Sequence, residues 1–199
     1  MQETPLKTAD QSYTNSPQDN QRIFRAILRT MSSPGTVTAL GHWPQPPALL
    51  HPAAAAVCLA LTDMETPLWI DRDAPEEVRS YLQFHCGTPI ISDQKAAAFA
   101  IILDGIKIPD LEKFNPGEFE YPDRSATLII QVGAIEVGNG ISLTGPGIKD
   151  STQIRVGGLS STFWHDLQIN NKRFPLGYDV ILATSTEIVS LPRTVQVGA

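Results

Sequence analysis

A chain of 199 residues, 42% of them apolar, can bury roughly 70% of the surface its unfolded form exposes, so one core forms without metal or disulfide staples. Fifteen basic against twenty-one acidic residues leave a net charge of -6, which opposes a polyanion and argues against nucleic acid as a partner. Met1 to Ser16 lacks the basic start and apolar core of a secretory signal, and Pro47 to Leu61, the most apolar stretch, is cut by His51 and Pro52 and falls short of the roughly 20 apolar residues of a membrane span. The expectation is a cytoplasmic chain without a membrane segment, with a disordered tail over 1–16 and a single α/β domain over 17–199.

Ser16-Pro17 with Asp19 predicts a helix start: serine can cap, proline suits the first turn, and a carboxylate suits the positive end of the dipole. Ile23, Phe24, Ile27, Leu28 and Met31 then form an apolar stripe at helical spacing, stopped by Ser33-Pro34-Gly35. Beyond a proline-rich link, Trp43 to Pro47, a second helix is predicted from His51-Pro52 to Leu61. Leu68-Trp69-Ile70 reads as a short buried strand. Asp73-Ala-Pro-Glu76 resembles a capping box for a third helix that carries Val78, Tyr81 and Leu82 and ends at Gly87. Phe99 to Leu103 has strand length, and Asn115 to Arg124 reads as a surface loop.

From Ala126 the pattern turns to strands. Thr127 to Val137 is rich in β-branched residues, and Gly138-Asn139-Gly140 predicts a tight hairpin into Ile141-Ser-Leu143. Gln153 to Val156 adds a strand, Ser160 or Ser161 is placed to cap a helix with Phe163, Trp164 and Leu167, and Tyr178 to Ala183 with Ile188 to Leu191 reads as a final strand pair. Interleaved helices and strands define a mixed α/β fold.

Residues able to carry chemistry are sparse. Cys58 and Cys86 are solitary, with no paired spacing for zinc or redox work, and read as reduced thiols. His42, His51, His85 and His165 are too far apart in sequence to announce a metal site, and none is expected. Gly145-Pro-Gly147-Ile-Lys149 fits neither a Walker loop nor a dinucleotide turn, and its proline removes an amide donor. It is either a rigid turn or an anion site. In Leu191-Pro192-Arg193-Thr194 a cation and a hydroxyl follow a strand, and proline would hold the arginine's aim on a phosphate or a carboxylate. The ligand-binding candidates are therefore Thr144, Gly145, Gly147, Lys149, Arg193 and Thr194, which Arg155 and Arg173 could join only through folding.

Six short motifs, in order from about residue 20 to 197, carry a resemblance. They are Phe24-Arg-Ala-Ile-Leu-Arg-Thr-Met31 with Pro34-Gly35, Leu59-Ala-Leu-Thr-Asp-Met-Glu-Thr66, Phe84-His-Cys-Gly87, Leu143-Thr-Gly-Pro-Gly-Ile148, Phe174-Pro-Leu-Gly-Tyr-Asp179 and Leu191-Pro-Arg-Thr194. Together they resemble the family of H subunits of the carbon-phosphorus lyase, PhnH. The resemblance implies a fold similar to the large domain of pyridoxal-phosphate-dependent transferases, a mixed sheet covered by helices, in a protein that binds no such cofactor. It implies a homodimer in isolation and a core complex with the G, I and J subunits, two copies of each. It further implies an accessory part, with the G, I and L subunits, in replacing the adenine of ATP by a phosphonate to give ribose 1-methylphosphonate 5-triphosphate. The resemblance also implies that the nucleosidase chemistry falls to the I subunit and carbon-phosphorus cleavage to the iron-sulfur J subunit; the two isolated cysteines of this chain cannot hold such a cluster. The alternatives are a phosphate- or nucleotide-binding protein or cryptic transferase with its own ligand site, and a pyridoxal enzyme using Lys95, Lys107 or Lys149.

Overall fold

A computed structural model of the chain describes residues 17–41 and 45–198. The tail 1–16, its serine cap, and His42 in the proline-rich link lie outside the described residues. In chain order the elements are α1 (Pro17–Ser32), β1 (Thr38–Ala39), α2 (Pro52–Leu61), β2 (Leu68–Ile70), α3 (Glu76–Cys86), β3 (Ile90–Ile91), β4 (Phe99–Ile102), β5 (Thr127–Gln131), β6 (Ala134–Thr144), β7 (Thr152–Gly157), α4 (Phe163–Asn171), β8 (Asp179–Ala183), β9 (Glu187–Leu191) and β10 (Gln196–Val197). No described helix is long and apolar enough to cross a membrane.

The larger sheet has the order β1-β9-β8-β5-β4-β2-β3. Strands β8, β5, β4, β2 and β3 run parallel, and β9 runs against β8 and β1. Parallel strands buried on both sides read as continuous apolar runs, and side-chain alternation divides them between two layers. Leu68, Ile70, Ile101, Ile129, Ile181 and Ala183 face α1, α2 and α3. Trp69, Ala100, Ile102, Leu128, Ile130, Val180 and Leu182 face α4 and the smaller antiparallel sheet β10-β6-β7. The mixed α/β class expected from the sequence is therefore present.

In the helical layer, Ala53 through Cys58 of α2 are all buried, and their small side chains let this helix lie close to its neighbours. The apolar stripe of α1 is narrower than its sequence predicts. Ile23 and Ile27 face inward, whereas Phe24 and Leu28 are 44% and 51% exposed. A buried polar contact locks α1 on β9, with the Thr30 and Ser190 hydroxyls 2.6 Å apart.

Three local expectations need correction. The residues 138–140 make no hairpin: β6 runs through them, and Val137 and Ile141 both stand opposite Ile154, so the extra residues bulge out. The hairpin that does form joins β6 to β7, and its connecting turn is 145–151. The capping box of α3 does not form: the helix begins only at Glu76, so Pro75 takes the N-cap position, where it has no side chain able to accept an amide. Neither Ser160 nor Ser161 caps α4; Thr162 occupies that position without a capping side-chain bond, while Ser160 Oγ accepts from the Thr162 amide at 3.4 Å.

The bulge generates a test. Gly140 has φ 108, and a Cβ there would lie 2.5 Å from the Ile154 carbonyl oxygen. Gly138 has φ 101, but its Cβ would meet nothing within 4 Å. In urea unfolding, Gly138→Ala is expected to lose about 1 kcal/mol from the backbone conformation alone, and Gly140→Ala roughly 2 to 3 kcal/mol because the clash adds to it.

Candidate functional site at the carboxyl ends of β2 and β4

In open parallel sheets, ligands bind beyond the carboxyl ends of the strands, where successive connections leave to opposite faces. Here that place lies between β2 and β4. From β2 the chain enters α3, whose Val78 and Leu82 pack on the layer containing α1 and α2. From β4 it crosses to the other face, where Leu111 and Phe114 are buried. The crevice between them has a volume of about 370 Å³, and its lining includes Leu49, Asp71, Asp73, Leu103, Asp104 and Lys107.

Asp71, the first residue beyond β2, binds across the crevice floor. Its Oδ2 accepts from the Leu103 amide at 2.7 Å, joining the ends of β2 and β4. Burial pushes this carboxyl above its ordinary range; the Leu103 amide opposes the shift, Asp104 and Asp73 add to it, and Arg79 lowers it. Arg79 Nη2, on α3, donates to the carbonyls of Asp71 at 2.5 Å and Arg72 at 3.1 Å, which fixes the segment after β2.

Gln131 secures the opposite wall. Its Oε1 accepts from the His51 amide at 2.6 Å, and its Nε2 donates to the carbonyls of Leu49 at 2.8 Å and Leu103 at 3.0 Å. These bonds hold Leu49 at φ 70, a left-handed conformation that costs a leucine about 1 kcal/mol or more, with its side chain 67% exposed at the mouth. At the rim, Asp104 accepts from the Ile106 amide at 3.0 Å and stands 3.4 Å from Lys107 Nζ.

The residues singled out in the sequence lie elsewhere and only partly converge. Thr144 pairs with Gln196 across β6 and β10, and a Cβ on Gly145 would lie 2.9 Å from the Thr194 carbonyl oxygen, so Thr144, Gly145 and Thr194 are neighbours. Gly147 abuts the end of α1, where a Cβ would meet the Ser32 carbonyl oxygen at 2.2 Å. That approach seats the turn at Gly147 against the end of α1. Lys149 and Arg155 are exposed, and Arg173 Nη2 is 2.5 Å from Glu112 Oε1, beside a hollow of about 200 Å³ next to α4.

Arg193 points inward. Its Nε and Nη2 hold the two Asp179 oxygens at 3.2 and 2.5 Å, its amide donates to Asp179 Oδ1 at 2.8 Å, and Nη2 also reaches Ser125 Oγ. Nη1 donates to the carbonyls of Pro122 at 2.7 Å and Pro175 at 3.3 Å. The aim that Pro192 imposes is thus on a carboxylate of the same chain, and every guanidinium nitrogen has a partner.

The described histidines have local roles. His51 holds Gln131 through its amide, His85 packs against Tyr81 and Phe84, and His165 is exposed on α4. Among the described residues no group of three or more His, Cys, Asp or Glu could hold a metal ion. Sequence reading passed over Leu49, Asp71, Asp104 and Gln131. The legible trace of the crevice was an aspartate directly after the buried run Leu68-Trp69-Ile70.

Fold and crevice together define an α/β protein with a ligand-sized cleft at the switch point of a mixed sheet. Residues 11–198 match the family described as bacterial phosphonate metabolism protein (PhnH). The chain therefore belongs to the PhnH family. It is similar to the alpha-D-ribose 1-methylphosphonate 5-triphosphate synthase subunit PhnH of Rhizobium meliloti (strain 1021), with 34% identity over 175 residues, 87% of this chain and 88% of the relative. It is also similar to HtxG of Stutzerimonas stutzeri, named provisionally as a C-P lyase subunit, with 28% identity over 178 residues, 89% of this chain and 85% of the relative.

Two measurements probe these sites. The Arg193 and Asp179 side chains are 12% and 21% exposed, so Arg193→Ala, which strands a largely buried carboxylate, is expected to lower unfolding free energy by about 3 kcal/mol in urea. For Asp71, the folded form binds its proton more tightly than the unfolded form does. Stability is therefore lost as pH rises from the ordinary carboxylate range through the raised value, and no more is lost above it. Asp71→Asn is expected to raise the urea midpoint at pH 7, with a gain that shrinks as the pH is lowered through that window.

Proposed function

We propose that this chain is an accessory, non-catalytic subunit of a carbon-phosphorus lyase assembly. With the G, I and L subunits it serves the formation of ribose 1-methylphosphonate 5-triphosphate from ATP and methylphosphonate, and it is held in a core with the G, I and J subunits. The observation that carries this reading is the family match over 11–198, together with a relative of 34% identity that is named as a subunit of that synthase.

The chemistry of the groups present supports an accessory role. Burial pushes the Cys58 and Cys86 thiols up, the opposite of an activated nucleophile. The strongest cation site suggested by the sequence, Arg193, serves an internal bridge. Pyridoxal chemistry needs a desolvated lysine, and the residues fit it poorly: the Lys107 side chain is 84% exposed, and Lys95 and Lys149 are exposed as well. In the same reading the large sheet is the large-domain fold of the pyridoxal-phosphate-dependent transferases without the cofactor. Residues 17–199 form one domain, and the isolated cytoplasmic protein is a homodimer.

Co-expression of this chain with the G, I and J subunits, followed by native mass measurement, tests the reading. A particle with two copies of each subunit is expected. Migration of the chain only as a free dimer, while the other three assemble without it, would defeat it.

A further inference from the structure

The crevice between β2 and β4 has the size and composition of a small-molecule site. Leu49, Ala74, Pro75 and Leu103 supply apolar walls around a volume of about 370 Å³. The polar groups among them are mainly acceptors. Asp71 uses Oδ2 on the Leu103 amide, and its Oδ1 has no hydrogen-bond partner among the described residues. Asp73 and Asp104 line the same space, against Arg72 and Lys107, and Lys107 is already beside Asp104. A phosphate or phosphonate placed inside would face three carboxylates with two cations to offset them. A group that brings donors to the carboxylates and flat apolar faces to the walls suits the crevice on both counts.

We propose that this crevice is a binding site for an amino-bearing flat heterocycle of purine size. The amino group donates to Asp71 Oδ1, and the ring lies between Leu49 and Leu103. Gln131 is a positioning residue: by bonding the Leu49 and Leu103 carbonyls it sets the spacing of the two walls. Lys107 and Arg72 remain at the rim for whatever the ring carries. An analogue with hydrogen in place of the amino group leaves Asp71 Oδ1 without its donor, which disfavours it by roughly tenfold or more.

The inference goes beyond the subunit reading and takes nothing from it, since the test uses the isolated full-length chain and can fail while co-assembly succeeds, or the reverse. Calorimetric titration with adenosine, purine riboside, which has hydrogen in place of the amino group, and inorganic phosphate is the experiment. Adenosine is expected to bind saturably at one site per chain, with purine riboside and phosphate weaker by roughly tenfold or more. Asp71→Asn keeps an acceptor for the Leu103 amide but turns the free position into a donor. Leu49→Gly keeps the left-handed backbone and removes the wall. Both variants are expected to retain the wild-type circular dichroism spectrum and to weaken adenosine by roughly fivefold or more. Absence of adenosine binding, equal binding of purine riboside, or adenosine binding indifferent to both folded variants would each overturn the proposal.

Discussion

At the carboxyl edge of the larger sheet, one buried side chain satisfies the backbone of three segments. Gln131 is 2% exposed, and it gives an acceptor to the His51 amide and donors to the Leu49 and Leu103 carbonyls. Strands buried on both faces cannot fray into water, so the polar groups where they end must be met within the protein. An apolar residue of similar size at 131 would strand an amide and two carbonyls together. The start of α2, the turn at Leu49 and the end of β4 all take their positions from this amide. The crevice between β2 and β4 is a consequence, because two of the segments that Gln131 ties down form its walls.

A second knot secures the sheet's other flank. Arg193 gathers Asp179 at the start of β8, Ser125 and Pro122 ahead of β5, and Pro175 before Tyr178. Each partner is a backbone carbonyl, a hydroxyl or a carboxylate that would otherwise be poorly solvated, and a planar guanidinium can serve them from one position. The result divides the chain's charges by role. Arg193 stabilises the fold, whereas the carboxylates of the crevice lack enough cations to neutralise them and burial works against Asp71 in particular. Groups held against their own stability are common where a structure serves a ligand.

Much of the fold was legible because buried parallel strands leave a simple trace. Leu68-Trp69-Ile70, Phe99 to Leu103 and Tyr178 to Ala183 are apolar runs of strand length, and all are strands of the larger sheet. The helices announced themselves through Pro17, Pro52 and Gly87 at their ends. The two-residue strands Thr38–Ala39, Ile90–Ile91 and Gln196–Val197 are too short to show a period. Gly138-Asn139-Gly140 misled because a turn signal is local, whereas pairing with β7 decides whether the chain reverses there. The crevice was hidden for a related reason: Leu49 and Gln131 bond across 82 residues of sequence, and neither belongs to a motif. Arg193 was visible as a held cation, but its acceptor, Asp179, could be identified only once β8 and β9 lay side by side.

The charge pattern also bears on why such a chain would work within an assembly. A nucleotide seated by its base in the crevice would carry its phosphates out past Asp73 and Asp104, where Lys107 and Arg72 are the cations of the lining. Lys107 already stands against Asp104, and the chain as a whole is acidic. Several phosphate charges close to these carboxylates require more positive charge than the crevice offers, and screening by salt reduces the mismatch without removing it. Cations supplied by another chain would complete such a site. On this arrangement the chain would hold the base, and the phosphates would lie outside the crevice, within reach of a partner.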